Sequence, residues 1–148
     1  MLKGKTVVLV LCIWVHQISA GILVKIIDGD INDISQCHQE GLKECWKVQL
    51  DLELLEGLQV DDIVQLSSTG PILLKLREKP FVGFSTTTYQ FIGQDGQDSS
   101  ITIGKRQTGL SVYGTIRGMD RVYSIESCGS GCNVMYWREG AYFNQFDD

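Results

Sequence analysis

Histidine, the side chain most often used for acid–base and metal chemistry near neutral pH, is scarce in this 148-residue chain. It has two histidines, and His16 lies in an N-terminal stretch with the pattern of a leader. His38 by itself cannot supply the three nitrogen ligands of a typical hydrolytic zinc site. The sequence has no His-Glu-x-x-His pair, no Gly-x-Ser-x-Gly elbow and no phosphate loop. We therefore expect no catalytic residue, no metal and no cofactor, and predict a protein that is not an enzyme.

Cysteines are the other chemically active group. Cys12 would leave with the leader, and four cysteines remain: Cys37, Cys45, Cys128 and Cys132. An even number in an exported chain favours disulfides over thiol catalysis or a zinc site built around His38. Four cysteines allow three connectivities. We predict the local pairs Cys37–Cys45 and Cys128–Cys132, while a cross-link between the N-terminal loop and the C-terminal hairpin stays open.

Carboxylates are numerous, but their spacing does not define a site. The spacing of Asp28, Asp30 and Asp33 is similar to that in a calcium-binding loop, but the bidentate glutamate is missing. A solvated loop is therefore the simpler prediction. A glycosidase would need two carboxylates that face each other across a cleft. Gly104-Lys105-Arg106 has the form of a precursor cleavage signal, but it lies between two strand patterns, where a polar hairpin tip explains it.

The first twenty residues have the features of a secretory signal peptide. Lys3 and Lys5 precede an apolar core over residues 6–15, and Ala20 provides a small residue before a cut ahead of Gly21. We predict residues 1–20 as a signal peptide and residues 21–148 as a single secreted, extracellular β-rich domain, with no later membrane span. Loss of the two lysines would change the net charge from −5 to about −7. Such acidity disfavours nucleic acid and anionic membranes as partners.

Short strands between glycine turns dominate the remaining chain. From Trp46 to Leu54 apolar and polar residues alternate, which indicates a strand with one buried face and places Asp51 and Glu53 on the wet face. Further short apolar runs are separated by turn signals, and a short helix is expected only near residues 60–65. We predict a mostly β fold: a single antiparallel β-sandwich or barrel-like domain with at most one or two short helices.

The segment from Tyr89 to Glu126 resembles the propeptides of reprolysin-type zinc metalloproteases, the ADAM and ADAMTS group. The matching positions are Tyr89, Gly93, Ser99, Ser100, Gly109, Leu110, Gly114, Ile116, Tyr123, Ile125 and Glu126. The strand expected over residues 50–57 also looks like the start of such a prodomain. The resemblance implies a β-rich domain that packs against a protease and keeps it latent. Nothing after Glu126 matches the short motif whose cysteine ligates the zinc in many family members.

Aromatic residues in the last part of the sequence are the candidates for protein recognition, because aromatic residues are enriched in protein–protein interfaces. We single out Tyr142, Phe143 and Phe146 as protein-binding residues, and expect Trp137 to pack on its own sheet. The leading hypothesis is a secreted, non-enzymatic binding module that resembles a metalloprotease prodomain and binds or inhibits a metalloprotease. The alternative is a secreted effector or defence protein that binds another extracellular target. A hydrolase with a carboxylate site is a weaker third hypothesis.

Overall fold

A computed structural model describes residues 21–68, 72–106, 109–118 and 120–140. Its strands are β1 Ile22–Ile26, β2 Glu44–Leu50, β3 Ile63–Ser67, β4 Leu73–Leu76, β5 Phe81–Val82, β6 Thr86–Gly93, β7 Asp98–Arg106, β8 Gly109–Arg117, β9 Arg121–Gly129 and β10 Cys132–Glu139. A 3-10 turn covers Ser35–His38, and helix α1 covers Leu52–Gly57. The predicted signal peptide lies outside the described residues. The described part contains no helix long and apolar enough to cross a membrane.

Nine of the strands close into a barrel. The order is β4-β3-β1-β2-β10-β9-β8-β7-β6, and a β4–β6 pairing closes the ring, while β5 lies beside β6 outside it. Going once round a ring, strand direction must return to its starting sense, so the number of antiparallel pairings must be even. Nine strands therefore need a parallel pairing, and β1–β3 provides it. The prediction of a mostly β, barrel-like domain is confirmed, with this one exception to antiparallel pairing.

Inward-facing rows of apolar residues fill the barrel. One row runs across four strands, because Ile101 lies opposite Gly114, Gly114 opposite Ile125, and Ile125 opposite Met135. A Cβ on Gly114 would lie 3.1 Å from Ile101 Cγ1 and 3.2 Å from the Ser100 carbonyl oxygen. Glycine at this position therefore makes room for the Ile101 side chain, in an interior packed as densely as a crystal.

The predicted strand from Trp46 to Leu54 is wrong at its C-terminal end, where helix α1 begins at Leu52. The strand ends at Leu50, and the Asp51 carboxylate accepts a hydrogen bond of 2.9 Å from the Leu54 N–H, which caps the helix. Leu55 is fully buried. Alternating leucines are compatible with a short helix as well as with a strand when an aspartate directly before them can cap the helix. The short helix expected near residues 60–65 was wrong, since β3 begins at Ile63.

A second apolar cluster lies on the outside of the barrel. Ile34, Val134 and Tyr136 form its buried centre, and Cys37, Cys45, Cys128 and Cys132 pack against it. We call residues 28–43, which lead from β1 to β2, the stapled loop, because the Cys37–Cys45 disulfide ties it to β2. The Cα–Cα distances are 5.6 Å for this pair and 5.1 Å for Cys128–Cys132. Both local pairings therefore follow the prediction, and the long cross-link is not formed.

Candidate protein-docking site

The site is built on the hairpin between β5 and β6. Pro80 stands at the entry of β5, where a residue without an N–H is tolerated on an edge strand. Phe81 pairs with Thr88, and Val82 pairs with Thr87. The chain then passes over Gly83, Phe84 and Ser85 before β6 begins at Thr86. We call residues 81–85 the Phe84 loop.

Apolar side chains of the Phe84 loop lie in solvent. Phe81 is 73% exposed, Val82 is 74% exposed, and Phe84 is fully exposed at 109%. Isolated exposed apolar residues are common, but three within four consecutive positions form a patch of the kind that marks interaction surfaces.

Backbone hydrogen bonds hold the loop in place. The Gly83 N–H donates to the Thr86 carbonyl at 2.7 Å, and the Lys105 N–H donates to the Ser85 carbonyl at 3.0 Å. The tip is thus tied to β6 and, through Lys105, to β7. A loop already ordered before binding loses less conformational entropy on association, so the exposed phenylalanine is presented at low cost.

A cleft of about 670 Å³ lies beside this loop, at the end of the barrel where β6 begins. We call this end of the barrel the basal end and the cleft the basal cleft. Leu52 and Glu56 of α1 line one side, and Val82, Gly83 and Phe84 line another. Tyr89 and Ile103, both buried for the most part, also line it and belong to the barrel core. The volume is typical of clefts that hold a small ligand or a few side chains of a partner.

Charged groups at the basal cleft have both signs. Lys79 and Lys105 line it together with Glu56. Burial raises the pKa of the Tyr89 hydroxyl above its ordinary value of 10.0, and the negative charge of Glu56 raises it further. Tyr89 is therefore neutral at physiological pH and presents a hydroxyl group that can donate a hydrogen bond.

One edge of β5 has no paired strand among the described residues, and Val82 of this strand lines the basal cleft. In an antiparallel pair, the backbone groups of successive residues point alternately toward the partner and away from it. Because Gly83 bonds to Thr86 of β6, the N–H and C=O of Val82 point toward the open edge. An extended segment could therefore add to the sheet there, while Pro80 limits how far the pairing extends.

The residues singled out from the sequence lie elsewhere. The His38 Nε2 lies 2.6 Å from the Asn32 carbonyl oxygen in the stapled loop, and Cys37 and Cys45 are bonded to each other. Asp30 accepts a hydrogen bond from the Asn32 N–H. Asp51 caps α1 instead of lining a strand face. Among the described residues, no group of three or more His, Cys, Asp or Glu is placed to hold a metal ion.

The C-terminal aromatics divide into two groups. Trp137 packs against the barrel core, as predicted, and the Arg121 guanidinium lies 4.1 Å from the centre of its ring. Tyr136 is buried under the stapled loop. The predicted protein-binding residues Tyr142, Phe143 and Phe146 lie outside the described residues.

Positions that carry the prodomain resemblance have structural roles in this barrel. The buried Ser99 hydroxyl accepts a hydrogen bond of 2.9 Å from the Arg117 N–H. Gly114 makes room for Ile101, and Tyr123 and Ile125 are buried. These residues build the framework and do not form a site by themselves.

Sequence reasoning missed the Phe84 loop. In the sequence, the run from Phe81 to Ile92 is rich in aromatic and β-branched residues, which favours one continuous strand. A proline directly before the run and a glycine inside it are typical of an edge strand and a turn, and they could have indicated a break at Gly83.

Comparison with protein-family models, with curated proteins and with solved structures found no match for this chain.

Proposed function

We propose that this chain is an exported, non-enzymatic docking module that binds an extracellular protein through the Phe84 loop and the basal cleft. The observation that carries the proposal is the fully exposed Phe84, held at a hairpin tip by backbone hydrogen bonds. Exposing three large apolar side chains to water is unfavourable unless a partner covers them, because burial is worth roughly 25 cal/mol per Å² of apolar surface.

The surroundings of Phe84 support binding of a protein more than binding of a small molecule alone. The cleft lies directly beside a protruding aromatic patch, so a partner can bury Phe84 while it places its own side chains in the cleft. Aromatic anchors surrounded by polar groups dominate the binding energy of many interfaces. Lys79, Lys105 and Glu56 provide the polar rim here.

A zinc metalloprotease is the first partner to test, on the strength of the resemblance between residues 89–126 and the ADAM-type prodomains. In this proposal the barrel binds the protease by surface complementarity, because Cys128 is bonded to Cys132 and offers no thiolate for the zinc. The chain would then act as a stand-alone inhibitor or assembly factor of a protease.

A second candidate is an effector or defence protein that binds a different extracellular target. It is favoured by the position of the matching residues, since Ser99, Gly114 and Ile125 are buried and shape the barrel without specifying its partner. The same framework could present the Phe84 loop to an unrelated protein.

Affinity capture with matched variants tests the docking proposal. Wild-type protein is immobilised beside a Phe84→Ser variant and a Tyr113→Ser variant, since Tyr113 is a 63% exposed aromatic on β8 that does not line the basal cleft. We expect a partner from the extracellular fluid of the source to bind wild type and Tyr113→Ser but not Phe84→Ser. Equal capture by all three would contradict docking through this loop.

The identity of the captured partner separates the two candidates. Identification of a metalloprotease, with inhibition of its peptide hydrolysis that Phe84→Ser weakens, would support the prodomain-like function. A captured partner without protease activity, bound in the same Phe84-dependent way, would support the effector alternative.

A further inference from the structure

The sequence contains a segment whose chemistry suits the basal cleft. We propose that residues 141–148 of one copy dock in the basal cleft of a second copy, so that the protein associates head to tail. The inference rests on the cleft being a binding surface, as the proposed function also requires, but it names a different and specific ligand. That ligand is the segment Ala-Tyr-Phe-Asn-Gln-Phe-Asp-Asp.

The chemistry of this segment matches the cleft. Tyr142, Phe143 and Phe146 supply three aromatic rings for an apolar surface formed by Leu52, Val82, Phe84 and Ile103. Asp147 and Asp148 follow directly and are opposite in charge to Lys79 and Lys105. Glu56 opposes these aspartates, so the arrangement that fits places the acidic end beside the two lysines and away from α1.

The open edge of β5 suits an extended segment. Residues 142–148 contain no proline and no glycine, so each of them can donate a backbone hydrogen bond and adopt an extended conformation. One pair of hydrogen bonds with the Val82 N–H and C=O would orient the segment along the hairpin, and alternate side chains would then reach the cleft.

Barrel geometry favours docking between copies over docking within one copy. The basal end carries the start of β6 at Thr86 and the end of β7, whereas β10 starts at Cys132 near the basal end and finishes at Glu139 at the opposite end. An eight-residue strand is about 26 Å long, and eight extended residues span at most about 29 Å. A segment that leaves Gly140 would use most of its length to travel along its own barrel, with little left to fill the cleft.

Such a contact joins two different surfaces and is therefore a heterologous interface. Heterologous contacts lead to rings or open chains of subunits, and their extent depends on concentration. In each assembled pair the Phe84 loop is covered, so self-association would also compete with an external partner for the same cleft.

Complementary variants test the proposal in solution. The tail variant carries Tyr142→Ser, Phe143→Ser and Phe146→Ser, and the cleft variant carries Phe84→Ser. In sedimentation velocity over a hundredfold range of concentration, the mean sedimentation coefficient of wild type and of Tyr113→Ser should rise with concentration. The tail variant alone and the cleft variant alone should each remain monomeric. An equal mixture of the tail variant and the cleft variant should form a one-to-one dimer and no larger species, because it contains one intact cleft and one intact tail.

A labelled peptide of residues 141–148 provides a second readout. Its fluorescence anisotropy should rise on binding to the tail variant, whose cleft is intact, and Phe84→Ser in the same background should weaken that binding about tenfold or more. A peptide with both aspartates replaced by asparagine should bind a few-fold more weakly, and the difference should shrink at high salt.

Distinct results would overturn this inference without touching the proposed function. A wild-type protein that stays monomeric over the whole range and does not bind the peptide would refute head-to-tail docking, even if an external partner is captured. Peptide binding that Phe84→Ser leaves unchanged would place the tail elsewhere and would equally refute it. Circular dichroism of each variant checks that the barrel is folded, and Phe84 itself is fully exposed and lies outside the core.

Discussion

Two regions of this barrel place apolar side chains outside its interior, and they do so with opposite results. On the outer face of β2 and β10, the stapled loop covers Val134 and Tyr136, which are 0% and 5% exposed. At the basal end, the Phe84 loop leaves its three large apolar side chains exposed.

Different attachments account for the contrast. The stapled loop is held by the Cys37–Cys45 disulfide and by side chains that reach across it. The Gln36 side-chain amide donates to the Ser127 carbonyl at 3.0 Å, and Arg138 donates to the Glu40 carbonyl at 3.3 Å. The Phe84 loop has only backbone anchors and no covering segment among the described residues. One apolar surface therefore stabilises the fold, while the other remains available for a partner.

The largest effect should come from the covered face. We expect Tyr136→Ala to lower the free energy of unfolding by about 3 kcal/mol, because it removes a buried aromatic ring and leaves a cavity under the stapled loop. Phe84→Ala, which truncates an exposed aromatic, should change the same quantity by less than about 0.5 kcal/mol. Urea unfolding followed by circular dichroism measures both values, and equal destabilisation would remove the distinction between the two regions.

Removal of the Cys37–Cys45 disulfide should have the next largest effect. The double variant Cys37→Ala/Cys45→Ala should lose about 2–3 kcal/mol in the chain-entropy view of a short cross-linked loop. The Cys128–Cys132 disulfide closes a shorter loop at a hairpin tip, so Cys128→Ala/Cys132→Ala should lower the free energy of unfolding somewhat less. Thermal unfolding of both double variants checks the order, and the reverse order would show that the stapled loop depends little on its disulfide.

Phe84→Ser should lower the affinity for a captured partner about 30-fold, which corresponds to a hot-spot contribution of about 2 kcal/mol. Tyr113→Ser is the matched control and should change the affinity by less than about twofold. Surface plasmon resonance with the partner gives both dissociation constants. If the two variants weaken binding equally, exposure alone does not distinguish the Phe84 loop.

The smallest effect concerns the tyrosine at the basal cleft. Glu56→Gln removes a negative charge that raises the pKa of Tyr89, so tyrosinate should form at lower pH than in wild type. Because the folded-state pKa is raised, the stability that Tyr89 contributes is present below pH 10 and is lost as the pH rises through the folded-state pKa. Glu56→Gln should reduce that alkaline loss.

Absorbance titration at 295 nm, taken as a difference from a Tyr89→Phe variant, isolates this group from the other tyrosines. An unchanged Tyr89 titration in Glu56→Gln would mean that burial alone raises its pKa.

Much of the fold could be predicted from local pattern, and the exceptions have identifiable causes. Alternation of apolar and polar residues indicated β2 up to Leu50. The alternation failed from Leu52 onward because Asp51 can cap a helix and a six-residue helix can use the same leucines. The candidate site could not be predicted from the sequence, because the exposure of Phe84 depends on whether any distant segment packs against it.

By itself, the sequence determined the β-rich class and the acidic charge, since both depend on local pattern or on composition. It favoured the two local cysteine pairs, but the structure decided between them and the long cross-link. Only the tertiary structure decided which apolar surface is covered, because Ile34 reaches Val134 and Tyr136 across about a hundred residues of sequence. It also decided the parallel β1–β3 pairing, which a closed ring of nine strands requires and no local pattern encodes. Burial and ring closure are properties of contacts between distant segments, whereas strand periodicity and short disulfide loops are local.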